Sequence, residues 1–141
     1  MNTKSIKING KKMVVTKEDV VDILSSILGD IGYWGQITFA DDDYDDASRE
    51  LYNQGIDVCY EDVIVKMMED GKRIEVYDVE DGAKLGNFTL DTIYDGLKMT
   101  AENGYDRYGY VGDGVFDGMG IDGEIADIIM QYGLLGEIVY G

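Results

Sequence analysis

Hydrophobic and polar positions change period several times along the chain, and each change marks an element. Ile6 and Ile8 alternate with lysines, Asn9-Gly10 supplies the two positive-φ residues of a tight turn, and Lys11 to Val15 resumes the extended pattern, which predicts a β-hairpin. From Thr16 the period becomes helical. Val20, Ile23, Leu24, Ile27 and Leu28 recur on one face up to Gly29, Thr16 is placed to cap, and Glu18 and Asp19 fall in the first turn, where the helix dipole favours acids. Gly32 to Phe39 reads as a short extended segment around the only tryptophan, Trp34, while Asp41 to Asp46 carry too much charge to pack and read as a solvated acidic loop. Ala47 to Gln54 predicts a short helix closed by Gly55. Tyr60 to Asp70 predicts another, with Val63, Ile64, Met67 and Met68 inward and Gly71 as its terminator.

Lys72 to Val79 alternates as a strand, with Ile74, Val76 and Asp78 on one side, and Asp81-Gly82 turns it into Ala83 to Phe88 as a second hairpin. Thr89 then caps a helix whose apolar positions are Leu90, Ile93, Tyr94, Leu97 and Ala101, ended by Asn103-Gly104. Tyr105 to Gly120 is Gly, Asp and Tyr with few aliphatics, a loop long enough to be functional. Ile121, Ile125, Ile128, Ile129, Tyr132, Leu135 and Ile138 keep helical spacing, with Gly133 and Gly136 placed to break it before Ile138-Val139-Tyr140. The expected fold class is α+β: a small antiparallel sheet built from β-hairpins, with three to five helices packed on one face, in a single acidic globular domain over residues 1 to 141.

Composition removes whole classes of chemistry. The 141 residues include no His, so Ser-His-Asp and Cys-His pairs and imidazole metal ligands are excluded. One cysteine closes no intramolecular disulfide and builds no zinc knuckle; Cys59, between Val58 and Tyr60, reads as a small core hydrophobe in a reducing compartment. Walker, dinucleotide-fingerprint and nucleophile-elbow motifs do not occur, and 29 acids offer many carboxylate pairs without selecting one for glycoside chemistry. The expectation is a protein that is not an enzyme and uses no cofactor. No apolar run is long enough to span a bilayer and no signal-peptide layout opens the chain, so a cytoplasmic location is expected.

Charge sharpens the picture. Twelve Lys and Arg against 29 Asp and Glu give a formal −17, with residues 1 to 40 at +1 and nine acids against Arg49 in residues 41 to 62. Such a surface repels nucleic acid and anionic membrane and favours a basic protein surface. A domain of this length is roughly 37 Å wide. Seventeen net charges along that width give one per ~2 Å, against one per ~1.7 Å of B-DNA axis. Acids sharing one face would therefore present a DNA-binding groove with the charge density of duplex. The candidate charge mimic comprises Asp41, Asp42, Asp43, Asp45, Asp46, Glu61, Asp62, Asp106, Asp113 and Asp117, with Tyr105, Tyr108 and Tyr110 as apolar contacts. Tyr33 and Trp34 read as core aromatics.

The stretch from Asp113 to Glu124 matches a twelve-residue calcium loop in part: Asp113, Asp117, Gly118 and Glu124 fall at positions one, five, six and twelve. Val115 takes position three, where a ligand is required, and Gly120 takes the central hydrophobic position. No metal is assigned, and a plain loop is the expectation.

Three segments carry a family resemblance: Gly-Asp-Ile-Gly-Tyr-Trp at 29 to 34, Phe-Thr-Leu-Asp at 88 to 91, and Ile-Met-Gln-Tyr-Gly-Leu-Leu-Gly-Glu-Ile-Val-Tyr-Gly at 129 to 141. The chain resembles small acidic proteins encoded by phages and mobile elements of gut Firmicutes, and is similar to the type II anti-CRISPR proteins found in that setting. The resemblance implies a non-enzymatic inhibitor in the cytoplasm of an infected bacterium, bound to a CRISPR effector nuclease with its guide RNA and blocking DNA binding or cleavage. It implies no direct nucleic-acid or membrane partner. The alternatives are a small calcium-binding or structural phage protein, and a sponge for a small signalling molecule.

Overall fold

The computed structural model of the chain describes residues 3–8, 10–56, 58–105 and 121–141. Strand β1 (Thr3–Ile8) pairs antiparallel with β2 (Lys11–Thr16) from Thr3↔Thr16 to Ile8↔Lys11, and Gly10 takes φ +79° at the turn. Ile8, Met13 and Val15 are buried beneath this hairpin. Helix α1 (Lys17–Asp30) starts on a reciprocal cap: the Asp19 amide donates to Thr16 Oγ1 at 3.1 Å and the Thr16 amide to Asp19 Oδ2 at 2.9 Å. Its face of Val20, Ile23, Leu24 and Ile27 is fully buried.

After a single tight turn at Ile31–Tyr33, β3 (Gly35–Phe39) leads directly into α2 (Asp41–Asn53). The acidic segment is thus helical, correcting the loop expected for Asp41 to Asp46. Two forces favour helix there. Asp41, Asp42 and Asp43 occupy the first turn, where the unpaired backbone N–H groups attract anions, and Tyr44, Ala47 and Leu51 form an i, i+3, i+7 stripe, with Ala47 and Leu51 buried. Helix α3 (Tyr60–Glu69) packs on α2 and buries Val63, Ile64, Val65, Met67 and Met68. Cys59 is exposed at its N-cap, contrary to the core position expected: at that boundary the chain is still extended and faces solvent.

Strands β4 (Ile74–Asp78) and β5 (Lys84–Asn87) form the second hairpin, and β3 joins it to give a three-stranded antiparallel sheet ordered β3-β4-β5. The described residues therefore hold two small sheets where one was expected, because the first hairpin pairs only with itself. The α+β class holds, with five α-helices among the described residues. Helix α4 (Leu90–Thr100) is capped by Thr89 and ends in a wide turn at Ala101–Tyr105, where Gly104 has φ +97°. Helix α5 (Gly123–Leu135) is capped by Asp122 and closed by left-handed Gly136.

Gly133 does not break α5, as its residue type had suggested. A side chain there would overlap the carbonyl oxygen of Thr92, and one at Gly96 the carbonyl of Ile129, so the two glycines let α4 and α5, the most extensively packed helix pair, approach backbone to backbone. Among the described residues no helix is long and apolar enough to cross a membrane.

Candidate functional site

The first turns of α2 and α3 meet at the end of β3. Phe39, the last residue of β3, stacks on Tyr44 at 5.6 Å between ring centroids, Tyr44 lies 5.8 Å from Tyr60, and Phe39 lies 6.4 Å from Tyr60. The cluster is only partly covered, with Tyr60 43% exposed. Asp41 and Asp45 share an open cavity of about 410 Å³ with these three rings, and Glu61 and Asp62 follow Tyr60 in the first turn of α3. Burial first, then the neighbouring Tyr44 and the Glu61 carboxylate, push the Tyr60 phenol above its ordinary value, so it stays a protonated donor at neutral pH.

Helical geometry splits the acidic block into two flanks about the Tyr44-Ala47-Leu51 stripe. On one flank Asp43 faces Lys72 at 3.9 Å, Asp46 pairs with Arg49 at 3.4 Å, and Glu50 reaches Lys66 at 3.3 Å. Lys66 also holds Asp70 at 3.0 Å, and that bond leads the causes that raise its ammonium pKa. The Glu50–Lys66 and Asp43–Lys72 pairs tie α2 to α3 and to the residues after it around a cleft of about 350 Å³. Asp41, Asp42 and Asp45 are exposed and have no cation partner among the described residues. Five carboxylates from Asp41 to Asp46 lie along about 7.5 Å of helix axis, one per ~1.5 Å, close to the ~1.7 Å spacing of charge on B-DNA.

The candidate residues named from sequence therefore divide. Asp41, Asp42, Asp45 and Asp46 are exposed on α2, Asp43 is half-buried beside them, and Glu61 and Asp62 are half-buried at the start of α3. Tyr105 is half-buried against the hydrophobic core at the end of the turn after α4. Asp106, Tyr108, Tyr110, Asp113 and Asp117 lie outside the described residues. Of the candidate calcium loop, Glu124 is described, exposed in the first turn of α5. Among the described residues no group of three or more acidic or thiol side chains is arranged to hold a metal ion.

Sequence reasoning missed the aromatic cluster, although the i, i+3, i+7 spacing of Tyr44, Ala47 and Leu51 signals it. It also missed a polar clasp at the opposite end of β3. There Asp127 of α5 accepts from Trp34 Nε1 at 2.8 Å, Tyr33 Oη at 2.5 Å and Gln131 Nε2 at 3.0 Å. Trp34 is buried as expected. Tyr33 is 55% exposed and held by its hydroxyl, which corrects its placement in the core. Comparison with protein-family models, curated proteins and solved structures finds no match.

Proposed function

We propose that the protein is a non-enzymatic inhibitor that occupies a basic groove of a nucleic-acid enzyme, a type II CRISPR effector nuclease with its guide RNA, and excludes DNA from it. One observation carries this reading: Asp41, Asp42 and Asp45 are exposed, have no cation partner among the described residues and fall at one per ~2 Å of helix axis, beside the partly exposed Phe39, Tyr44 and Tyr60 rings. Carboxylates would engage groove arginines in bidentate pairs. The rings would supply the apolar anchor that charge alone lacks, and arginine also stacks on such faces. Effector nucleases hold nucleic acid in positively charged channels and read a short adjacent motif with arginines, so a rigid acidic helix end fits their chemistry. The sequence resemblance supports the same target class.

Inhibition by occupancy is stoichiometric. Titrating the protein against a guide-loaded effector nuclease cutting duplex DNA is expected to bring activity to a plateau at a fixed molar ratio. Inhibition that turns over at trace ratios would point to catalysis instead, and no inhibition across a panel of type II effectors would remove the target class.

A further inference from the structure

Among the described residues strand β3 pairs only with β4, which makes it an edge strand, with Gly35 buried and Ile37 and Phe39 half-buried. The Val79 amide donates to the Trp34 carbonyl at 3.0 Å, which sets the alternation: the backbone groups of Trp34, Gln36 and Thr38 face β4, and those of Gly35, Ile37 and Phe39 face away. Among the described residues no backbone partner meets those three on the outer side. The usual protections of such an edge are missing too, since the segment Gly-Gln-Ile-Thr-Phe holds neither lysine nor proline and its pairing to β4 runs without a bulge.

The edge runs beside a groove of about 420 Å³ with apolar side chains from Leu28, Ile31, Ile37, Tyr60 and Val79 and a polar one from Gln36. Gly32 lines it as well, and a side chain there would meet only open space, so the wall stays low and a backbone can come close. The Phe39 end of the edge is acidic, with Asp41 and Asp45 beside that ring.

We propose that the β3 edge takes up an extended, basic segment of a partner protein by strand addition, its amides and carbonyls pairing with Ile37 and Phe39 and its alternate apolar side chains entering the groove. Lysines or arginines at the end of that segment beside Phe39 meet Asp41 and Asp45. A second copy of this chain is the wrong occupant. Antiparallel self-pairing about Ile37 would bring together two chains of −17 each. The inference stands apart from nuclease inhibition, because its test contains no nuclease.

The probes are a heptapeptide of alternating lysine and valine, the same peptide N-methylated on its ladder-facing amides, and a glutamate-valine counterpart. Amide exchange at Ile37 and Phe39 is expected to be fast in the free protein and slowed at least tenfold by the lysine-valine peptide. N-methylation should weaken binding by about tenfold or more, and the glutamate peptide should not bind. Ile37→Pro removes the outward-facing N–H together with a half-buried side chain and is expected to abolish binding. The methylated peptide keeps the test valid if that variant misfolds. Equal binding of the methylated or the glutamate peptide, absence of protection at saturating peptide, or protection in the free protein that is lost on dilution, the mark of a self-paired dimer, would each overturn the proposal.

Discussion

The indole N–H of Trp34 donates to Asp127 across 93 residues of sequence, at 2.8 Å, and fixes the entry of β3 to the middle of α5. The ring also stacks on Tyr140 at 4.9 Å with 7° between planes, and Tyr140 donates from its hydroxyl to Asp78 Oδ2 at 2.7 Å. Buried Gln131 completes the clasp: its Oε1 accepts from the Val139 and Tyr140 amides, both at 2.8 Å, and its Nε2 donates to the Tyr140 carbonyl at 3.0 Å. The C-terminal segment is thereby pinned to both α5 and β4.

Removing one partner of this network strands the others. Asp127→Ala is expected to destabilise by about 1–3 kcal/mol, the cost of a buried donor without an acceptor, and to shift tryptophan emission to the red as water reaches the indole. Asp127→Asn keeps an acceptor oxygen and should recover at least half of the loss. Denaturant melts followed by fluorescence check both values.

The α4–α5 crossing depends on two missing side chains. Gly133→Ala and Gly96→Ala should each destabilise by roughly 2 kcal/mol or more, since the new methyl meets a backbone carbonyl that cannot move aside. Helix propensity alone predicts the opposite, a gain of up to ~1 kcal/mol. Thermal melts of the two variants decide the sign.

Two phenols set an alkaline limit. The hydrogen bond to Asp127 leads the causes that push Tyr33 up to about 12, and the bond to Asp78 does the same for Tyr140, also to about 12. A folded-state pKa raised above the ordinary 10.0 gives stability that is complete below pH 10 and disappears as pH climbs toward about 12. Tyrosinate absorbance should therefore show a late component, reduced by Tyr33→Phe and by Tyr140→Phe, and stability should decline over the same window. The Tyr140 bond, followed by the Glu80 and Asp81 amides, holds Asp78 below the usual carboxylate range, so its contribution fades only as pH falls below 3.8.

Much of the architecture is legible in local sequence. Thr16 and Thr89 announce their helices by capping chemistry, and Val20 to Leu28 and Leu90 to Leu97 announce theirs by period. Asp41 to Asp46 mislead because adjacent carboxylates suggest an extended, solvated chain, while the dipole at a helix start and the Tyr44-Ala47-Leu51 stripe favour helix. Gly133 misleads because the reason for a glycine there is the Thr92 carbonyl on another helix. The joining of β3 to β4 and the Trp34–Asp127 bond depend on long-range geometry that no local pattern encodes.

Placing the acids on a helix alters what charge removal does to stability. Asp41, Asp42 and Asp43 complement the positive end of α2, each at about 0.3–1 kcal/mol, so replacing them by Asn is expected to lower stability modestly even though like charges are relieved. A melt at low ionic strength checks this, and separates loss of fold from loss of binding.

The central claim is that Asp41, Asp42 and Asp45 of α2, which have no cation partner among the described residues, compete with DNA for a basic groove. Displacement of labelled duplex from a guide-loaded type II effector nuclease, measured over a salt series, tests it most directly. Wild type should displace DNA. The Asp41→Asn, Asp42→Asn, Asp45→Asn triple variant should compete roughly tenfold less well at low salt, the equivalent of about 0.5 kcal/mol per lost charge pair, and the two should converge as salt rises. The Asp43→Asn, Asp46→Asn variant, whose charges are already paired within the chain, should lose less. If the triple variant melts cooperatively and still displaces DNA as well as wild type at low salt, or if wild type leaves the DNA bound, the acidic face of α2 is not a charge mimic.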